Sequence, residues 1–221
     1  VSIEIKTENP FWDEMRELFA TRPKYNPNGL DYLFDPVWSF KAFEKREPCC
    51  KKYAWAIPDP ASIAFVAQYL HPQAIEIGAG TGYWAWQLSQ CGIDIMAFDE
   101  APPDTVPNVY FSPRFNGDTP KDLTKTWHPV HQGSTEKLKE HPERALFLCW
   151  PPYSTNFALQ CLSAYQGHRF VFIGEGDGGC TGDAAFFELL EKEWEEVADH
   201  PIQQWSGIRD HIWVYERSKT C

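Results

Sequence analysis

The sequence predicts an α/β sandwich built on a mostly parallel sheet, and three observations predict it. From residue 74 onward short apolar runs alternate with helical patterns, the order that strand-helix-strand units produce. A glycine-rich segment, Gly78-Ala79-Gly80-Thr81-Gly82, stands between the first run and the first helix of that series. An acid, Asp99, closes the second run 17 residues past Gly82, at the strand end where ligands meet such a sheet.

Seven runs read as strands: 74–77 (AIEI), 94–98 (DIMAF), 129–132 (PVHQ), 145–150 (ALFLCW), 169–174 (RFVFIG), 194–198 (WEEVA) and 211–216 (HIWVYE). Helices are predicted at Tyr83 to Gln90, closed by Gly92, at Thr135 to Glu140, at Asn156 to Gln166, closed by Gly167, and at Ala184 to Glu191, capped by Asp183. An earlier helix starts at Asp59-Pro60, a cap followed by a favoured first residue, and carries Ile63, Val66, Ala67 and Leu70 on one face. His71-Pro72 ends it. Ala101 to Trp127 is proline-rich and lacks helical periodicity, which fits an active-site loop or an element without a periodic signature. Residues 1–58 give one helix, around Asn9 to Ala20, then a loop-like run at 21–36. They show no strand ladder, so they are expected to lean as a cap or lid on a domain spanning 59–221.

Composition bounds the partners. The 221 residues are 43% hydrophobic, enough for one core, and carry a formal net charge of -11. A nucleic-acid backbone calls for a basic stripe, whereas the densest basic run here, KREPCCKK at 45–52, is short and interrupted. Apolar runs stay well below the roughly 18 residues of a membrane span, and the first twenty residues lack the basic start and apolar middle of a secretory signal. A cytoplasmic protein with a small-molecule substrate and no membrane partner is therefore expected, its oligomeric state open. The seven cysteines are scattered, with no Cys-x-x-Cys and no histidine cluster, so reduced thiols and no metal are expected.

At the glycine turn, missing Cβ atoms permit tight geometry and let a ligand approach the backbone at a helix start. No Gly-Lys-Ser/Thr follows, and the spacing is Gly-x-Gly-x-Gly rather than Gly-x-Gly-x-x-Gly, so neither a P-loop nor a pyrophosphate site is evident. Asp99 can accept both hydroxyl protons of a ribose; Glu100 is the alternative, pointing the other way if the strand persists.

Together, Glu76, Gly78, Gly80, Thr81, Gly82 and Asp99 resemble the first two cofactor motifs of the class I S-adenosylmethionine-dependent methyltransferases, and the likeness in element order runs from about residue 60 to 217. The resemblance implies a seven-stranded, three-layer sandwich in the order 3-2-1-4-5-7-6 with only the last strand antiparallel. It implies S-adenosylmethionine as cofactor: the turn, Ala79 included, under its amino acid part with Glu76 in support, Asp99 on the ribose, and Gly133 and Ser134 beside the adenine.

After the fourth strand, Trp150-Pro151-Pro152-Tyr153 resembles the Asn/Asp-Pro-Pro-Tyr motif of amino-group methyltransferases, with Trp150 where the polar residue belongs. An indole N–H accepts no proton, but its face holds cations. Trp150 and Tyr153 are thus expected to wall the transferable methyl, Trp150 also touching the cofactor, and to select a planar or cationic acceptor.

Candidate bases are His128 and Glu175, with His131 read as structural and Asp183 as a helix cap. Glu175 and Asp177, in the glycine-rich stretch after the fifth strand, can line a substrate pocket, and Tyr53 and Trp55 can roof the cofactor. The activity implied is methyl transfer to a small molecule. Two alternatives stand beside it: a non-catalytic binding protein on the same fold, which Trp150 and Ser134 fit, and an NAD-dependent oxidoreductase, which shares the strand, turn, helix and acid.

Overall fold

In the computed structural model, residues 8–22, 35–112 and 121–218 are described. β1 (Gln73–Ile77), β2 (Asp94–Asp99), β3 (Val130–Gln132), β4 (Ala145–Cys149), β5 (Arg169–Gly174), β6 (Trp194–Pro201) and β7 (His211–Arg217) form one sheet in the order β3-β2-β1-β4-β5-β7-β6. β7 runs antiparallel to both its neighbours, and the other pairings are parallel. Every apolar run is a strand, and the expected order holds.

The layers follow from the two-residue period of a strand, which sends alternate side chains to opposite faces. In β4, Leu146 and Leu148 enter a core with Ala158 and Leu162 of α6 (Phe157–Ala164) and Phe186 of α7 (Ala184–Glu193). Phe147 enters the other core, with Ile63 and Val66 of α3 (Pro60–Leu70) and Trp84 and Leu88 of α4 (Tyr83–Gln90). β5 divides likewise, Phe170 and Phe172 to the first core, Val171 and Ile173 to the second. Helix starts are fixed by side-chain caps: Asp59 accepts from the Ala61 and Ser62 amides, and Asp183 from Phe186. A short α5 (Glu136–Glu140) follows β3.

At the N-terminus, α1 (Pro10–Ala20) begins after Asn9, which accepts from the Trp12 amide. A second helix, α2 (Pro36–Lys52), was not expected. Its interior Pro48 and mostly charged surface hide a buried face of Trp38, Ala42, Cys49 and Cys50. The expected loop at 21–36 lies mostly outside the described residues. Both helices join the α3–α4 core: Phe11 stacks on Tyr53 at 4.9 Å, and Phe19 meets Trp205 edge-on at 5.9 Å. Tyr53, expected to roof the cofactor, is instead buried between Phe11 and Tyr83, and its carbonyl accepts the Thr81 hydroxyl. It braces the glycine turn from behind. The basic run at 45–52 lies on α2, where Lys51 pairs with Glu47 and Lys52 with Glu14.

Between β2 and β3 the described residues form turns without a helix, held by Asn108, whose side chain donates to Asp99 and Ala101. Among the described residues no helix is long and apolar enough to cross a membrane.

Candidate active site

A cavity of about 670 Å³ opens at the C-terminal ends of the central strands, within the range of small-ligand sites. Its wall takes Gly78 from the turn after β1, Asp99 and Glu100 from the end of β2, and Trp150 to Asn156 from the segment after β4. Arg46 and Trp55 reach it from the N-terminal part of the chain, Pro107 to Phe111 from the β2–β3 connection, and Cys180 and Ile208 from the β5–β7 side.

The turn holds Gly78, Gly80 and Gly82 at φ of 75°, 55° and 68°, a region costly to residues with a Cβ. Its amides face inward. Those of Gly78 and Ala79 donate to the Phe98 carbonyl (2.8 and 3.0 Å), that of Gly80 to Asp99 Oδ2 (2.9 Å) and that of Gly82 to the Ala79 carbonyl (2.8 Å). Of the turn only Gly78 reaches the cavity wall. Gly80 lies under the Phe111 ring, and Gly82 against Val130 and His128. Ala79 and Glu76 are buried beneath. One Glu76 oxygen has no partner, and burial, with the Asp99 charge adding, pushes its carboxyl up to about 8.

Asp99 accepts the Ala101 amide (2.9 Å) and the Asn108 side-chain amide (3.3 Å) on Oδ1, besides Gly80 on Oδ2. Burial raises its pKa, opposed by the Ala101 and Gly80 amides. It therefore braces the loops and lines the cavity at once. Glu100 is exposed on the same wall and accepts the Ser134 hydroxyl at 2.8 Å. Ser134 and Gly133 are not on the wall; Gly133 packs against Lys137 and Phe98.

Across the cavity, Trp150 has a φ of 57°, the one positive value at a non-glycine among the described residues. Such a conformation persists only where its surroundings enforce it. Here its amide donates to Ile173 (2.8 Å), its indole N–H donates to Asp210 Oδ1 (2.8 Å), and its ring stacks on Trp55 at 5.3 Å. Tyr153, 59% exposed, stands at the rim. Trp150, Tyr153 and Trp55 all line the cavity, Trp150 and Trp55 packing against the core behind it as well.

The two candidate bases are placed elsewhere. His128 is not on the wall; it contacts the Ile95 carbonyl at 3.2 Å, and burial lowers its pKa. Glu175 is 6% exposed and clasps two loops, its oxygens accepting the Cys180 and Arg209 amides at 2.8 Å each. The β5–α7 loop turns it inward, while Asp177 is exposed and off the wall. Sequence reasoning missed Arg46, Asn108, Phe111 and Asp210. Asp210 is fully buried behind Trp150, with Oδ2 unpartnered. Burial, with the Glu175 charge adding, pushes its carboxyl up to about 8 against the pull of the Trp150 hydrogen bond and Arg46. Among the described residues no group of three or more His, Cys, Asp or Glu is placed to hold a metal ion.

These two buried carboxyls set a pH dependence. Their folded-state pKa values lie above the ordinary 4.5 and 3.8. The native protein keeps both protons where the unfolded chain has released them, so this stabilisation is complete below the ordinary values and is lost as pH rises toward about 8. Melting temperature is expected to fall between about pH 5 and pH 8, and Asp210→Asn to flatten the slope. An unchanged slope in that variant would contradict the assignment.

The strand order, with the glycine turn after the first strand and an acid ending the second, is that of the class I methyltransferase fold. No family model matches the sequence, and no curated protein matches it. Three solved structures similar to this chain illustrate the range. One is 1,6-didemethyltoxoflavin-N1-methyltransferase of Burkholderia thailandensis with 1,6-didemethyltoxoflavin and S-adenosylhomocysteine bound (14% identity, 89% of this chain and 92% of that one, TM-score 0.43). The second is magnesium protoporphyrin IX methyltransferase from Synechocystis with S-adenosylhomocysteine bound (10% identity, 94% of each chain, TM-score 0.44). The third comes from the conversion of a disulfide bond into a thioacetal group in echinomycin biosynthesis (12% identity, 72% of this chain and 82% of that one, TM-score 0.46).

Proposed function

We propose that this chain transfers a methyl group from S-adenosylmethionine to a small molecule with a planar face, and that residues 1–58 act as a cap completing the site. One observation carries this: a single cavity has the glycine turn and the paired acids after β2 on one side and the aromatic segment after β4 on the other. Inward-facing turn amides suit a nucleoside without phosphates and leave a pyrophosphate short of donors, which disfavours NAD. The net charge of -11 disfavours a nucleic-acid acceptor.

When bound, the cofactor supplies a methyl group already activated on a sulfonium. The chain's work is then mainly positioning. Gly78, at a φ of 75° and with the Phe157 ring packed where a Cβ would stand, presents its backbone on the cavity wall to the donor's amino acid part. Asp99 and Glu100 offer carboxylate oxygens to the ribose hydroxyls, and Asn108 to Phe111 close over the base. Trp150, held flat by Trp55 and Asp210, orients the acceptor ring, and Tyr153 shields it from water. A base on the chain is needed only for an acceptor that arrives protonated.

A non-catalytic binding protein is the second reading, and one observation favours it: His128 and Glu175 are off the cavity wall, and Asp210 is fully buried. The test is to incubate the protein with methyl-tritiated S-adenosylmethionine and a small-molecule extract. Label moving into a new small molecule supports transfer, whereas donor binding without label movement supports the second reading.

Tyr153→Ala sharpens this test. The side chain is largely exposed, so melting is expected to shift by no more than about 0.5 kcal/mol in stability, with donor affinity nearly unchanged. Transfer is expected to fall several-fold, the scale of about 1 kcal/mol of ring contact. A strongly destabilised variant would contradict the placement of Tyr153 at the rim.

A further inference from the structure

Arg46 is the one cationic side chain on the cavity wall among the described residues. It comes from the basic run of α2, whose Lys45 and Lys52 pair with Glu14 and whose Lys51 pairs with Glu47. Its guanidinium lies 5.8 Å from the Trp55 ring and 5.7 Å from the Trp150 ring. Its Nε is buried without a hydrogen-bond partner, and among the described residues no carboxylate comes within ion-pair distance of it. An unsatisfied guanidinium nitrogen beside a cavity calls for an explanation.

Location narrows that explanation. The groups that sense Arg46 electrostatically are Cys50 on its own helix, Cys180 after β5 and Asp210 before β7. This is the far side of β4 from Asp99 and Glu100, and so the side left for the acceptor once the nucleoside occupies the β1–β2 edge. Burial favours the neutral form of Asp210, and neither of its oxygens bonds to Arg46, since Oδ1 accepts the Trp150 indole N–H and Oδ2 has no partner. A cationic acceptor, which the aromatic wall alone would favour, meets a like charge already beside both tryptophan rings. A planar guanidinium beside an aromatic wall matches a flat ring bearing a carboxylate, which its fork can hold by two hydrogen bonds.

We propose that Arg46 anchors a carboxylate on the methyl acceptor, whose class is therefore a planar aromatic or heteroaromatic acid; this rests on the chain being a methyltransferase. Arg46 fixes one end of the acceptor and the Trp55–Trp150 stack fixes the ring plane. Together they aim the remaining edge of the ring at the donor.

The test uses the full chain saturated with S-adenosylhomocysteine and titrated with three acid–amide pairs: benzoate and benzamide, indole-3-carboxylate and indole-3-carboxamide, naphthalene-2-carboxylate and its amide. At least one acid is expected to bind about tenfold or more tighter than its amide, as a charge-assisted pair requires. Arg46→Gln is expected to bring that ratio to about one, Arg46→Lys to keep part of it, and both to leave S-adenosylhomocysteine affinity within about twofold. No preference in any pair, absence of binding included, overturns the proposal. So does an Arg46→Gln protein that keeps the preference, or one that loses S-adenosylhomocysteine instead, since Arg46 then serves the donor's own carboxylate. If the wild-type chain fails to bind S-adenosylhomocysteine, the methyltransferase reading falls, and the acid–amide ratio without it still decides whether Arg46 holds an anion.

Discussion

Gly80→Ala is expected to destabilise the protein by about 2–5 kcal/mol, the sum of about 1–2 kcal/mol for a Cβ in the left-handed region and about 1–3 kcal/mol for overpacking. Both terms arise at one position. Gly80 has a φ of 55°, and a Cβ built on it would overlap the Phe111 ring. For a chain of this size each kcal/mol moves the melting temperature by about 2–4 °C, so a fall of roughly 5–20 °C is expected. Gly92→Ala is the control, because Gly92 also has a positive φ, 82°, but no atom within 4 Å of a Cβ. It should suffer the backbone term alone. Equal melting shifts in the two variants would contradict the close packing of Phe111 on the turn. Because Phe111 also lines the cavity, its displacement in Gly80→Ala should weaken S-adenosylhomocysteine binding, whereas Gly92→Ala should not.

Asp99→Ala is expected to cost stability and cofactor affinity together. Three hydrogen bonds are lost, from the Gly80 amide, the Ala101 amide and the Asn108 side chain, which keeps only the Ala101 carbonyl. The ribose loses a charged acceptor too, worth about 1.5–3 kcal/mol, or roughly 10- to 150-fold in affinity. Glu100→Ala separates the two roles, since Glu100 is exposed on the same wall and braces no loop amide. It should leave melting nearly unchanged. If Asp99→Ala melts early yet binds S-adenosylhomocysteine normally while Glu100→Ala binds it poorly, the ribose contact belongs to Glu100.

These variants show which part of the molecule was legible in the sequence. The central strands β1, β4 and β5 declared themselves because each is a compact apolar run whose residues feed two cores, as Leu146, Phe147 and Leu148 do. Asp59 and Asp183 were legible as caps because capping is local, spanning three residues. The turn and Asp99 were legible because their chemistry is tied to strand ends.

Hidden features depend on contacts distant along the chain. Trp150 is held by Asp210, 60 residues away, and no periodicity encodes that pairing. Arg46 read as part of a short basic run because its approach to Trp150 exists only once α2 joins the α3–α4 core. Tyr53 and Trp55, two residues apart, were read alike, yet one is buried behind the turn and the other faces the cavity. Glu175 was placed at the right strand end, but a glycine-rich loop folded it inward onto two amides.

The central claim, that this cavity holds S-adenosylmethionine, is tested most directly by calorimetric titration of the purified protein with S-adenosylhomocysteine and, separately, with NAD. Saturable one-to-one binding of S-adenosylhomocysteine in the micromolar range, with no comparable heat from NAD, is the predicted result. Tighter binding of NAD, or no binding of S-adenosylhomocysteine at millimolar concentration, would contradict it.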